Sequence, residues 1–373
     1  VHFADGGKLV PVSRAVRRRA KRKLAKMAEE AKHAPAPAKE PELRLQNPVS
    51  QHFPAFIFGN ATKCKKVVVP GTANGKHLVI CGAGPSLAEN LHPYIDEADE
   101  VWGCNSALTW MWDHGHRVTH GFPVDQTPQV VEERYDCPPV PYLVASSVHP
   151  NLVELLELNG RDMTFFHNYV GIDRPPVSYG VCKDCNGMTP SDAKVCPACK
   201  STHLLIMTMA YEEWMYEALY PATVRAGSGL NTASRAIDVG LAMGFERISI
   251  LGSDCCLKHT RITDEPMGSP GYMDWLRTDV VMHVDGSDAL RSGATAMVMQ
   301  AEIDGRTWIT KPDMAITAVW LAEMAKYYPE RLEFVGDTLV NAIKGKPEEF
   351  FERLPALTNA KGERIRFCPN PDV

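Results

Sequence analysis

No apolar run in the 373-residue chain approaches the roughly 18 to 20 residues that a helix needs to cross a bilayer, so a helical membrane span is rejected. The chain also lacks a Gly-Lys-Ser/Thr step. Its Gly82-Ala-Gly84 turn has neither a third glycine nor an acidic residue at the usual ribose position, so a P-loop enzyme and a conventional NAD enzyme are both disfavoured. There are no internal repeats. The opening Val-His-Phe-Ala-Asp-Gly-Gly has no apolar stretch behind a charged start and no small-residue cleavage site. No secretory signal is expected from it, and an initial Val fits a non-AUG start or a trimmed fragment.

What remains has ordinary globular values, 45% hydrophobic and 23% charged residues, enough to bury a core. Eleven cysteines invite a disulfide framework, but four form two Cys-x-x-Cys pairs and the rest are scattered in apolar segments such as Val-Ile-Cys81-Gly. A reducing compartment, and so a cytoplasmic location, is the expectation. The formal charge of −5 is unevenly spread. Residues 1–40 carry eleven Lys/Arg against four Asp/Glu, a surplus of seven, which leaves −12 on the remainder.

Five regions follow: a basic helical arm with a Pro/Ala linker (1–48), the first part of the main domain (49–180), a cysteine insertion (181–203), the second part of the domain (204–345), and a C-terminal helix with a Pro-rich tail (346–373). Residues 13–32 are nearly all good helix formers behind Ser13 as an N-cap, and the stretch breaks at Pro35 and Pro37. Such a positive helix suits nucleic acid, an anionic surface or an assembly contact; a merely solvated tail is the plain alternative.

The main domain reads as α/β. His77-Leu-Val-Ile-Cys81 is an apolar run that ends in a glycine turn and leads into a helical pattern. Further runs, Glu100 to Cys104, Val118 to Val124 and Tyr142 to Ala145, end respectively at Asn105, Asp125 and Ser146-Ser147, with His149 close behind. Parallel strands end this way where their carboxyl ends face a ligand crevice. A helix over 231–244 feeds the run Arg247 to Leu251 and then Gly252-Ser-Asp254; a last helix over 314–328 feeds Leu332 to Val335. The expected fold is Rossmann-like: an open, mostly parallel sheet with helices on both faces, a small zinc-ribbon insertion and a basic N-terminal helical arm. Trp102, Trp110 and Trp112 read as core rather than as a stacking platform.

Cys182-x2-Cys185 and Cys196-x2-Cys199, ten residues apart, are two knuckles whose thiolates can converge on one ion, with Asn186-Gly187 and Pro197 supplying tight turns. A redox dithiol needs only one pair. With all four positions filled by cysteine no site is left for water, so a structural Zn2+ is expected.

At the Gly82–Ser86 turn, Gly82 and Gly84 admit a phosphate close to the backbone, and Ser86 adds a hydroxyl at a helix start. Three separated motifs then resemble one family: Cys81-Gly-Ala-Gly-Pro-Ser-Leu87, Cys104-Asn105, and the run from Gly227-Ser-Gly-Leu-Asn-Thr to Gly252-Ser-Asp254. They resemble the 6-hydroxymethylpterin diphosphokinase MptE-like family. That grouping includes the motility-associated flagellin glycosyltransferases and is similar to the bacterial CMP-sialic-acid sialyltransferases. The resemblance runs from about Lys76 to Lys344, interrupted by the cysteine insertion.

The resemblance implies a nucleotide-dependent transferase, with two chemistries open. A diphosphokinase would hold Mg2+ and ATP through paired aspartates, whereas Phe122-Pro-Val-Asp125-Gln-Thr-Pro128 offers one carboxylate. A glycosyltransferase with a CMP-type donor would use Asn105 on the donor phosphate and a histidine base, for which His283 is nearest and His259 and His149 are substitutes. The implied nucleotide-binding set is Gly82, Gly84, Pro85, Ser86, Asn105, Asp125, Ser228 and Gly229, and the implied catalytic pair is His283 with Asp254. Each has a plainer role open to it: Asn105 as a helix cap, Asp254 as a bond within its own turn, His283 as an ordinary surface or core residue. A non-catalytic protein that binds nucleotide, nucleic acid or an assembly is the third reading.

Overall fold

The computed structural model describes residues 2–4, 8–10, 52–84, 86–126, 137–172, 174–220, 223–227, 231–256, 261–266, 276–280, 299–310 and 312–353. The helix expected over 13–32 lies outside them. The chain begins with a short antiparallel pair, β1 (His2–Ala4) and β2 (Lys8–Val10). Helix α1 (Phe53–Ala61) follows, then the alternation β3 (His77–Cys81), α2 (Ser86–Glu97), β4 (Glu100–Cys104), α3 (Ser106–Asp113), β5 (His120–Phe122). Next come β6 (Tyr142–Ala145), α4 (Pro150–Leu158) and β7 (Met163–Asn168). Three antiparallel strands, β8 (Val177–Cys182), β9 (Met188–Pro190) and β10 (Leu204–Met209), form the cysteine ribbon in the order β10-β8-β9. Because β8 starts at Val177 and β10 ends at Met209, the ribbon extends on both sides of 181–203.

The domain resumes with α5 (Tyr211–Leu219), β11 (Arg225–Ala226), α6 (Thr232–Met243) and β12 (Arg247–Leu251). Two antiparallel pairs come next, β13 (Arg261–Pro266) with β14 (Leu276–Val280), and β15 (Met299–Ile303) with β16 (Arg306–Thr310). The described chain ends with α7 (Pro312–Tyr327), β17 (Leu332–Phe334), α8 (Leu339–Ile343) and α9 (Pro347–Arg353).

Eight strands form one sheet in the order β11-β7-β6-β5-β4-β3-β12-β17, and every neighbouring pair is parallel. The fold is therefore α/β and Rossmann-like. Strand β3 is the switch point: the chain proceeds from it through β4 to β7 on one side, while β12 and β17 join on the other. Period-two alternation sends Leu78 and Ile80 to one face, under α6 and α7, and Val79 and Cys81 to the other, under α2 and α3. Each face is covered by apolar helices, which is why these strands read as unbroken hydrophobic runs.

On the α6 face, Trp102 stacks on Phe122 at 5.6 Å and Phe122 on Phe166 at 4.9 Å. Trp102 is thus core, as expected, whereas Trp112 is 42% exposed. Helix α6 is capped at both ends. Asn231 accepts the Ser234 N–H at its start, and Gly244 adopts φ 91° at its end. No helix among the described residues is long and apolar enough to cross a membrane.

Candidate functional site

Two centres emerge, one in the ribbon and one at the carboxyl edge of the parallel sheet. In the ribbon the two knuckles are built alike. Asn186 N–H donates to the Cys182 carbonyl at 2.8 Å and Lys200 N–H to the Cys196 carbonyl at 2.9 Å. Both residues adopt left-handed backbone, φ 57° and 62°. Asn186 and Pro197 both lie in the turns expected of them, and Lys200 takes the left-handed position that closes the second.

The turns bring the sulfurs of Cys182, Cys185, Cys196 and Cys199 within 4.8 Å of one another, with Cys182 and Cys199 at 3.4 Å and Cys185 and Cys196 at 3.6 Å. Four sulfurs at the tetrahedral Zn–S distance of about 2.3 Å would stand about 3.8 Å apart, so the donor set fits a closed four-thiolate metal site. Burial acts to raise the Cys182 pKa, but the backbone N–H groups of Asp184 and Cys185 outweigh it and bring the value down to about 6. The Ser201 backbone pulls Cys199 down, yet the neighbouring sulfurs Cys182 and Cys185 prevail and push it up to about 12.

At the sheet edge, the Gly82–Ser86 turn lies against the turn after β12. Gly82 N–H donates to Leu251 O and Gly84 N–H to Gly252 O, both at 2.8 Å. A Cβ on Gly84 would stand 2.7 Å from both Gly252 O and Asp254 Oδ2, so only glycine fits. Asp254 is buried and reaches across this seam: Oδ2 accepts the Ser86 N–H at 3.0 Å and Oδ1 accepts the Ser86 hydroxyl. Asp254 thus bonds the far side of the switch point. Both Ser86 donors expected to meet a phosphate are already held by an internal carboxylate. Helix α2 is also interrupted at His92, before Pro93, which leaves only a short first segment behind Ser86.

One strand over, Asn105 follows β4 with φ 46° and ψ −125°, a costly backbone state for a residue with a side chain. It precedes α3, but its side chain does not cap that helix. Instead Nδ2 lies 2.7 Å from Thr232 Oγ1 at the start of α6, and Oδ1 is buried without a hydrogen-bond partner. A hydroxyl either donates or accepts, so the amide can sit in either orientation on Thr232. One orientation leaves a free acceptor and the other a free N–H, the donor that a phosphate needs. Either way one polar atom of Asn105 has no protein partner.

Further along the edge, the Ser146, Ser147 and Asn168 ends of β6 and β7 form a buried polar network. Ser147 Oγ accepts from Gln126 Nε2 and from Asn168 Nδ2, each at 3.0 Å, while Asn168 Oδ1 has no partner. His167 Nδ1 meets Ser146 Oγ at 3.0 Å, and its Nε2 lies 3.5 Å from Glu212 Oε1. Glu212, in the first turn of α5, accepts the backbone N–H groups of Val170, Gly171 and Ile172 at 2.8 to 3.0 Å. Burial acts to raise its pKa, but His167 and the Ile172 and Val170 N–H groups hold it below the ordinary carboxylate value. Sequence reading missed His167, Asn168 and Glu212, since Tyr-Glu-Glu-Trp carries no motif and their meeting depends on where α5 packs.

Of the other expected site residues, Asp125 is half-buried just after β5, with its carbonyl 3.4 Å from the His149 N–H. His149 caps α4, its ring accepting the Asn151 N–H at 3.2 Å. Pro85, Ser228, Gly229, His259 and His283 lie outside the described residues. The structure therefore brings together Gly82, Gly84, Ser86 and Asp254 at the switch point, with Asn105 and Thr232 joined at the neighbouring strand end.

No protein-family model matches the chain, and no curated protein matches it. Among solved structures, the MAf glycosyltransferase from Magnetospirillum magneticum AMB-1 is similar at 12% identity with a TM-score of 0.44, over 82% of this chain and 41% of that one. The chain thus spans less than half the length of that structure.

Proposed function

We propose that this chain is a nucleotide-dependent transferase of glycosyltransferase type, taking a CMP-linked sugar at the carboxyl ends of β3 and β4. The observation that carries the reading is Asn105: a strained residue at a central strand end, tethered to Thr232, with one enclosed amide atom left for a ligand. Strain and an unmet polar atom at one residue point to a binding role rather than to packing. The three-motif resemblance to the MptE-like grouping supports the same position. In the reaction, an acceptor oxygen bonds to the anomeric carbon while the bond from that carbon to the CMP phosphate breaks. The electron pair leaves with CMP, and His283 takes the acceptor proton. Gly82 and Gly84 form the wall beside the donor. Asp254 keeps that wall in place through Ser86, and Ser228 and Gly229 are assigned to the same donor.

The four cysteines are read as a structural Zn2+ site that folds the ribbon. The basic arm is assigned to an anionic partner, either nucleic acid, a charged surface or an assembly. A thermal-shift screen of the zinc-loaded chain against CMP, CDP, UDP, GDP, AMP and ATP, with and without magnesium, tests the donor. A ligand at 100 times its Kd stabilises the fold by about 2.7 kcal/mol. A magnesium-independent shift with CMP that Asn105→Ala removes is expected. A shift only with ATP and magnesium would favour diphosphate transfer, and no shift with any nucleotide would sink the transferase reading.

A further inference from the structure

Arg235 has no part in the site as read so far, yet one of its nitrogens is left unmet at this edge. It lies three residues after Thr232 on α6, so the two share a helix face. Thr232 meets Asn105 at the end of β4. Arg235 reaches the end of β11, where Nη1 lies 4.0 Å from the point a Cβ on Gly227 would occupy. That Nη1 is closed off from solvent and has no hydrogen-bond partner. Asp238 and Glu212 act on the guanidinium only through space. Their oxygens serve backbone groups: Asp238 accepts the Gly227 N–H at 2.8 Å, and Glu212 holds the three N–H groups after β7. Burial lowers the Arg235 pKa against the pull of those two carboxylates, but a guanidinium stays protonated in a protein. The residue is half-buried and these carboxylates balance its charge, but Nη1 itself is a buried donor left without an acceptor, which is destabilising. Asn168 Oδ1, also buried and unpaired, ends β7 beside β11. It stands three strand spacings, about 14 Å, from Asn105.

We propose that Arg235 recognises an anionic oxygen of the bound donor, its phosphate or a sugar carboxylate, so that the acceptor Nη1 lacks arrives with the ligand. This subsite rests on reading the crevice as a donor site, deepens it by naming the charged group recognised, and can fail independently of it.

The test uses the full chain with Arg235→Met and Arg235→Lys, measuring the ligand-free unfolding midpoint and the Kd for CMP, cytidine, a CMP-linked sugar acid and inorganic pyrophosphate. Arg235→Met leaves Asp238 and Glu212 without their nearby cation, so its ligand-free midpoint should fall. The same variant should bind CMP about 10- to 100-fold more weakly, the loss of a charge-assisted bond, with cytidine unchanged. That result identifies the phosphate. Loss confined to the CMP-linked sugar acid identifies the carboxylate instead. Arg235→Lys should recover part of the affinity, and it carries the comparison should Arg235→Met not fold. Unchanged affinity for every probe overturns the subsite, whatever the midpoint does. If the wild type binds no cytidine compound, the donor reading fails by itself and pyrophosphate decides: weaker binding in the variants retains the anion subsite, and equal or absent binding overturns it.

Discussion

Removing the Asp254 carboxylate should destabilise the fold far more than an average point substitution. Its two oxygens hold the Ser86 N–H and hydroxyl, and both residues are buried, so neither donor can turn to water. A hydrogen bond to a charged group contributes about 1.5 to 3 kcal/mol, and two such bonds give about 3 to 6 kcal/mol for Asp254→Ala. That is a large share of a typical total of about 5 to 15 kcal/mol. Asp254→Asn keeps the shape. Its carbonyl can still accept the Ser86 N–H and its amide can donate to the Ser86 oxygen, so about 1 to 2 kcal/mol is expected. Equilibrium urea unfolding gives the order wild type, then Asn, then Ala, and hydrogen exchange at the Ser86 amide should quicken in the same order. A loss below about 1 kcal/mol in Asp254→Ala would refute the seam as a structural contact.

Stripping metal with a chelator should release one zinc per chain by mass spectrometry and open the ribbon amides to hydrogen exchange, while β3 to β7 stay protected; Cys185→Ser should do the same without chelator. Gly84→Ala should cost about 1 to 3 kcal/mol in urea unfolding, because its Cβ would stand 2.7 Å from Gly252 O and Asp254 Oδ2. Asn105→Gly should be more stable than Asn105→Ala by about 1 to 2 kcal/mol, since φ 46° is easy for glycine; equal stabilities would remove the strain from the case for binding. Glu212 is held below its ordinary pKa, so the stability it adds is full above the unfolded-state value of about 4.3 and drains as pH falls through the lower folded value. Glu212→Gln should therefore be weaker than wild type at pH 7 and converge with it as pH falls through that lower folded value, as read by pH-dependent thermal melts.

Much of the scaffold was legible because its signals are local. Strands β3, β4 and β6 fall where their apolar runs were read, and β5 is a shorter core inside the run from Val118 to Val124. Strand β7 and the two-residue β11 were missed. In β7 the apolar pair Phe165 and Phe166 is followed by His167 and Asn168, whose polar side chains are buried only through partners on β6 and α5. At the site, Asn105 was found from its strand-end position, whereas Arg235 sits within an ordinary helical pattern and nothing local marks its Nη1 as buried and unmet.

By itself the sequence determined what depends on neighbours a few residues apart: the α/β alternation, the caps of α6 at Asn231 and Gly244, and the two knuckles whose Cys-x-x-Cys spacing places sulfurs together within one turn. Tertiary structure decided what depends on strand order. Because β12 inserts beside β3, Asp254 meets Ser86 across 168 residues and occupies the donors a phosphate was expected to take. Because α6 starts beside the end of β4, Thr232 holds Asn105 across 127 residues. Such contacts arise from packing two faces of one sheet, and no periodicity in the chain encodes which buried polar atom is left without a partner when that packing is complete.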